Sequence, residues 1–311
     1  MLIKNAKENA MAIEDEDIEI IYGNKDVYSS IDSYNEELEK VDVNEKINLA
    51  LQLEKDTKAE SEKVKTIDDC IVASGKGERY ISNSKGLNLK HISNMIYAMV
   101  SPVVEDGGKV NTAYSFKASY DIKEIDTKKL AKESVSDALS YMGAESVPSG
   151  KYGIIVRNDV MADILSTFWG IFSAYNVQKG MSLLKGKLGT NIASNKVTII
   201  DDPLMKKGLC SIPFDDEGVA TYTKTVIEEG LLKTYLYNLK TAKKDGVKST
   251  GNASKASYSS PIGTSPSNFY IKPGNKDLAE LMKILGDGLF ITEVQGLHSG
   301  ANTVSGDFSL A

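Results

Sequence analysis

The residues able to do acid–base or ligand chemistry are few, and most fall late in the chain. "DDP" at 201–203 and "PFDDEGV" at 213–219 place five acids near expected strand ends. Two carboxylates held close split their pKa values and can serve as acid and base, or they bind a hard cation through oxygen. Asp and Glu are also favoured in turns, where they hydrogen-bond their own backbone, and that plainer role stays open. "KSTGNASKASYSS" at 248–260 gathers small hydroxyls and amides about one glycine, which suits a substrate-lining loop or an ordinary surface loop. "GLHSGANTVSGDF" at 296–308 is a Gly-rich turn beside a strand, but it lacks the G-x-G-x-x-G spacing of a nucleotide site. No calcium loop of the D-x-D-x-D-G type and no P-loop is found in the sequence.

The only histidines are His91 and His298, too far apart in sequence to form a two-His metal helix. A Ser-His-Asp triad would have to use one of them. His91 sits in the alternating segment "NLKHISNMIY" and reads as a solvent-facing imidazole. Cys210, in "GLCSIPFDDEG", has no histidine nearby in sequence and reads as a small hydrophobe rather than a nucleophile. The two cysteines, Cys70 and Cys210, do not make a disulfide framework, and they fit a reducing, cytoplasmic setting.

The elements that must position these groups can be read from periodicity. "IKNAKENAMAI" predicts a first helix, followed by an irregular acidic stretch to Val43. Asn44 is expected to cap a helix through "EKINLALQLEKDTKAES". From Asp69 to Ser119 the pattern shifts to period two, with turn signals at Gly75-Lys76-Gly77, Asn83–Gly86 and Glu105–Gly108. This predicts an antiparallel meander with a long strand over 87–104. Asp126 or Thr127 is expected to cap a helix with an apolar stripe of Leu130, Ala131, Val135, Ala138, Leu139 and Met142, ended by Gly143. "SGKYGIIVRN" reads as a short buried strand, and "MADILSTFWGIFSAYNVQKG" at 161–180 as a buried helix leading into a Gly turn. Further strands are expected in "KVTIIDDP", on both sides of Glu229-Gly230, and in "SNFYIKPG", "GLFITEVQG" and "VSGDFSLA". "LKTAKKDGVKS" at 239–249 reads as a solvated turn, and Asn275 as the cap of a helix through "KDLAELMKIL" that Gly286 ends.

The sum is an α+β fold. An N-terminal α/β portion with an antiparallel meander, residues 1–148, precedes a larger, mixed, β-rich and barrel-like domain with a few helices, residues 149–311. The chain is 41% apolar and 26% charged, with no run near the ~20 apolar residues of a membrane helix and no signal-peptide pattern. A net charge of −6 argues against nucleic acid, whose phosphates need a basic surface.

In order, "VTIIDDP", "KGLCSIPFDDEGVATYTKTVIEEGLLKTYLYN", "KSTGNAS", "SPSNFYIKPG" and "VSGDFS" resemble the TldD/PmbA family, also called the modulator of DNA gyrase family. "ISNSKG" and "EDGG" fit its earlier half, so the resemblance runs from about Asn44 to Ala311. The resemblance implies an intracellular zinc-dependent peptidase built from a TldD-like and a PmbA-like (TldE) subunit. The TldD-like subunit carries HExxxH on a helix, and a Cys from a C-terminal segment completes its metal site. Aligned by the Gly turn in "KGMSLLKGKLG", the metal-motif positions fall on Leu165, Ser166 and Gly170. None offers an imidazole or a carboxylate.

The resemblance therefore implies the PmbA/TldE-like branch, with no metal and no cofactor in this chain and zinc only in a TldD-like partner. Its expected role is to shape a cavity and position peptide for that partner, as a heterodimer or a homodimer. Asp215, Asp216, Glu217, Thr250, Gly251 and Asn252 are expected at the peptide or partner surface, with no catalytic residue here. A self-associating scaffold or binding protein of the same fold is the alternative, and an enzyme using the acidic loops without zinc is a third reading. Against the family pattern the chain reads as shortened at both ends, which is expected to leave an unpaired sheet edge.

Overall fold

The computed structural model describes residues 1–12, 20–23 and 26–307. Helix α1 (Leu2–Ala12) is exposed along its length, and α2 (Glu36–Lys40) interrupts the stretch expected to be irregular. Helix α3 (Val43–Glu60) is capped by Asp42, whose carboxylate accepts the Asn44 amide at 2.7 Å. The expected cap, Asn44, lies one residue inside the helix; the acid takes the cap because its charge also opposes the positive helix end.

Two long strands follow, β1 (Val64–Ser82) and β2 (Asn88–Asp106), with β3 (Lys109–Thr112) and β4 (Ser115–Ser119) pairing antiparallel on β2. The expected turn at Gly75-Lys76-Gly77 is not a turn. Those residues continue β1, with Gly75 opposite Met95 and Gly77 opposite Ser93. On β2 the side chains of Asn94, Ile96, Ala98, Val100, Pro102 and Val104 alternate into the interior. Ile96, Ala98 and Val100 pack with Leu53 of α3 and Leu130 of α4 (Thr127–Ser140). Asp126 caps α4 through the Lys129 amide, and Leu130, Ala131, Val135 and Ala138 form the buried stripe that the spacing predicts.

The second half opens with β5 (Ile154–Val156), which is not buried: Ile154 is 58% exposed, and the strand has one partner, parallel. The stretch expected as one helix is broken into α5 (Asn158–Phe168), a 3₁₀ turn (Trp169–Phe172) and α6 (Ala174–Gln178). Ser173 bridges Leu236 at the break, so tertiary pairing overrides helix continuity. Next come β6 (Ile199–Asp201), β7 (Lys224–Glu228) and β8 (Leu231–Leu232). The β7–β8 hairpin turns at Glu229-Gly230, both at positive φ, as the twist of a tight hairpin demands.

The expected solvated turn at 239–249 contains helix α7 (Leu239–Asp245), closed by a capping box at Asn238 and by left-handed Gly246. The remaining elements are β9 (Ala253–Ser254), β10 (Gly263–Thr264), β11 (Phe269–Ile271), α8 (Leu278–Leu285), β12 (Leu289–Ile291) and α9 (Leu297–Gly300). The cap of α8 is Asp277 with Glu280, not Asn275. Of the strand expected in "VSGDFSLA", residues 304–305 lie in a turn and residues 308–311 lie outside the described residues.

The fold is mixed α and β with antiparallel sheets. Its C-terminal strands form an open sheet in the order β11-β6-β7-β8 and separate two-stranded pairs; among the described residues they do not close into a barrel. Phe172, Val177, Ile199, Val226, Leu232 and Leu236 make the core beneath that sheet. Among the described residues, no helix is long and apolar enough to cross a membrane.

Candidate functional site

A cavity of about 400 Å³ opens where the β1–β2 ribbon meets the C-terminal half. Gly77 and Arg79 of β1 stand opposite Ser93 and His91 of β2 and line one wall. Directly opposed residues of an antiparallel pair share a face, so all four project toward the same space. The facing wall includes Asp215, Asp216, Gly251 and Asn252.

The turn carrying the acids is built by Asp215. Its Oδ1 accepts the amides of Glu217 and Val219 at 3.0 and 2.9 Å, and its Oδ2 accepts the Ala253 amide at 3.0 Å. This is the backbone-bonding habit of Asp in turns, extended to a neighbouring loop. Burial pushes the Asp215 carboxyl up to about 6, against the pull of those three amides and with help from the Asp216 charge. Asp216 binds Arg79 Nη1 at 2.8 Å and accepts the Lys255 amide at 2.7 Å, joining the ribbon, the turn and the 250–255 loop. The N-terminal segment pins the same turn: Tyr28 donates to Gly218 O at 2.9 Å, and Asp26 accepts the Ala220 amide at 3.0 Å.

Behind this wall lies a pair that sequence reasoning missed. Asp201, fully buried at the end of β6, accepts Lys224 Nζ at 2.9 Å, Asn252 Nδ2 at 2.7 Å, and the Ser267 amide and hydroxyl at 2.7 and 2.6 Å. Lys224 is itself buried, and burial lowers its pKa against the opposing pull of Asp201. The sequence signal is a lysine opening the strand "KTVIE" and an acid ending the preceding strand, which the register places opposite each other.

The six expected surface residues separate into two groups. Asp215, Asp216, Gly251 and Asn252 meet at the cavity. Glu217 turns away to accept the Leu239 amide at 2.7 Å at the start of α7. Thr250 is buried, donating to Asn252 Oδ1 and accepting the Tyr237 amide, both at 2.7 Å. His91, expected to face solvent, is instead half-buried: its Nε2 lies 3.2 Å from Ser33 Oγ, and its ring meets Phe214 edge-on. Burial first, and the Arg79 charge second, hold its pKa below the usual imidazole value. Cys210 lines the cavity as an exposed residue rather than a buried hydrophobe. Its thiol end is desolvated and raised by burial and by Asp201, the opposite of an activated cysteine.

The acids of this site are committed to amides, an arginine and a lysine, so they hold its shape. Leu165, Ser166 and Gly170 lie apart from the cavity lining. Leu165 packs against the C-terminal core, Ser166 is exposed, and the Gly170 carbonyl accepts from Asn176 Nδ2 at 2.8 Å. Among the described residues no three His, Cys, Asp or Glu side chains gather as metal ligands would, so the donor set does not fit a zinc ion.

Comparison with known proteins gives two family matches. Residues 36–141 match the PmbA/TldA metallopeptidase central domain, and residues 149–311 the PmbA/TldA metallopeptidase C-terminal domain. An uncharacterized protein of Methanocaldococcus jannaschii is 34% identical over 255 residues, 78% of this chain and 57% of its own length. The Metalloprotease PmbA homolog of Haemophilus influenzae is 28% identical over 272 residues, 86% of this chain and 57% of its own. The chain thus spans 57% of the length of these relatives. A crystal structure from Thermotoga maritima named as a modulator of a DNA gyrase superposes with a TM-score of 0.90 at 34% identity, covering 99% of this chain and 70% of that one. TldE from Thermococcus kodakarensis superposes with a TM-score of 0.84 at 24% identity, over 94% of this chain and 66% of that one, a likeness of fold.

Proposed function

Because the chain belongs to the PmbA/TldD metallopeptidase family, we propose that it is the PmbA/TldE-like, metal-free member of a peptidase pair. It shapes a cavity and positions peptide, while a TldD-like partner holds the zinc. Two domains, 1–148 and 149–311, meet around that cavity and present it to the partner. The observation that carries the reading is the contrast between two places. The metal-motif positions hold Leu165, Ser166 and Gly170, whereas the acids and amides of the PFDDEG and STGN segments converge on an open, hydrogen-bonding cavity.

In this role the chain's own residues bind and orient. Arg79 and Asp216 hold the two walls together, and the Asp201–Lys224–Asn252 cluster fixes the back wall. Zinc bound in the partner would supply the activated water. The test is reconstitution with the TldD-like protein of the same organism. Zinc-dependent peptide cleavage should appear in the mixture and vanish with chelator, and neither protein alone should match it. Peptide binding with no effect on any TldD-like partner would favour the scaffold reading. Chelator-resistant cleavage by this chain alone would favour catalysis by the acidic loops.

A further inference from the structure

We propose that the cavity between the β1–β2 ribbon and the C-terminal half is a carboxylate site that takes the free C-terminal end of a peptide, with Arg79 as its charged anchor. The proposal rests on the reading that this chain positions peptide, and it names which part of the peptide is held.

The argument is a balance of donors and acceptors. The cavity is lined by three acids, each with partners inside the protein: Asp215 accepts three amides, Asp216 pairs with Arg79 and accepts the Lys255 amide, and Glu78 pairs with Lys76 and Lys90 and accepts the Tyr80 hydroxyl. Asn252 spends its amide on Asp201 and the Ser265 carbonyl, and its oxygen on Thr250. The unspent groups are donors. Arg79 is 44% exposed and among the described residues pairs only through Nη1, so two guanidinium nitrogens remain for a planar acceptor. The hydroxyls of Ser93 and Ser254 also line the cavity, and no hydrogen bond to either is found among the described residues. The free edge of the Arg79 guanidinium, flanked by neutral hydroxyls, matches a planar carboxylate, which would share the guanidinium charge with Asp216, and offers nothing to an ammonium.

The floor of the cavity supports a ligand that is more than a small anion. Gly75 and Gly77 interrupt a strand, where glycine is normally unfavourable. Neither has a positive φ. A Cβ at Gly75 would meet nothing within 4 Å, and one at Gly77 only Ser93 Oγ at 3.7 Å. Internal packing therefore does not require these glycines, and Gly77, which lines the cavity, leaves open the space beside Arg79. That space, within a volume typical of small-ligand sites, accommodates the last residues of a chain rather than a long segment.

Calorimetric titration of the full chain with acetyl-trialanine, its C-terminal amide and acetate tests this. The peptide acid should bind saturably, with the amide and acetate each at least tenfold weaker. Arg79→Gln should lose at least tenfold in affinity. Gly77→Val fills the floor without removing a polar group, so it should abolish binding while leaving the melting temperature unchanged or higher. Equal affinity for acid and amide, full-strength binding by Gly77→Val, or no binding of the acid would overturn the proposal. Acetate binding as tightly as the peptide acid would overturn its peptide half. The titration needs no partner, so its failure is distinguishable from failure of the reconstitution.

Discussion

At the scale of single residues, the Asp201–Lys224 pair gives the sharpest contrast. Both side chains are buried, and removing one partner leaves the other charge without compensation. Lys224→Ala should cost about 3–5 kcal/mol. Lys233→Ala breaks the exposed Lys233–Glu228 pair at 3.0 Å and should cost less than about 1 kcal/mol. Urea unfolding of the two variants measures the difference. Asp215 makes a prediction about pH. Its folded pKa, about 6, lies above the ordinary carboxyl value, so the folded state holds its proton more tightly than the unfolded chain does. Its titration therefore favours folding at low pH, and that contribution is lost as pH rises through about 6. The stability of wild type relative to Asp215→Asn should fall by about 2 kcal/mol between pH 4 and pH 7, most of the shift at 1.4 kcal/mol per pKa unit, because the unfolded carboxyl is already partly ionised at pH 4. A difference that stays flat or grows over that range would show that the amides, not burial, control this carboxyl.

At the scale of elements, the loop that closes the cavity depends on Gly251, whose φ is +68° and whose added Cβ would lie 3.0 Å from the Ala220 carbonyl oxygen. Gly251→Ala should cost about 1–3 kcal/mol and loosen the 250–255 loop, read as faster amide exchange at Ala253 and Lys255. Capping is a smaller effect: Asp277→Ala, which removes the capping box of α8, should cost about 1 kcal/mol in thermal unfolding. These elements also mark what was legible beforehand. The α4 stripe, the β7–β8 hairpin and the long strand β2 follow from period and turn chemistry, and the structure has them where the spacing places them. Gly75-Lys76-Gly77 carries the same turn chemistry but lies within nineteen residues of continuous strand, because pairing along β2 outweighs a local preference. The caps of α3 and α8 slipped by two residues because a second capping residue stood two positions away, and only geometry chooses between them. Of the site, the acids of the PFDDEG turn and the STGN loop could be named from residue order. Their convergence on Arg79 and His91 could not, since that contact spans well over a hundred residues.

At the scale of the whole molecule, the proposed division of labour gives this chain a binding cavity and gives a TldD-like partner the metal. The prediction that belongs here is dependence in both directions. The chain should raise the peptidase activity of a TldD-like protein, and its cavity variants should lower that activity without dissociating the pair. The most direct measurement is a titration of purified chain into a zinc-loaded TldD-like subunit, following peptide cleavage and the zinc content of each separated protein. The account predicts that cleavage saturates at a fixed ratio of the two chains, that zinc stays with the TldD-like protein, and that Gly77→Val lowers cleavage at least tenfold at saturation. Zinc recovered stoichiometrically with this chain, or cleavage indifferent to its addition, would contradict it.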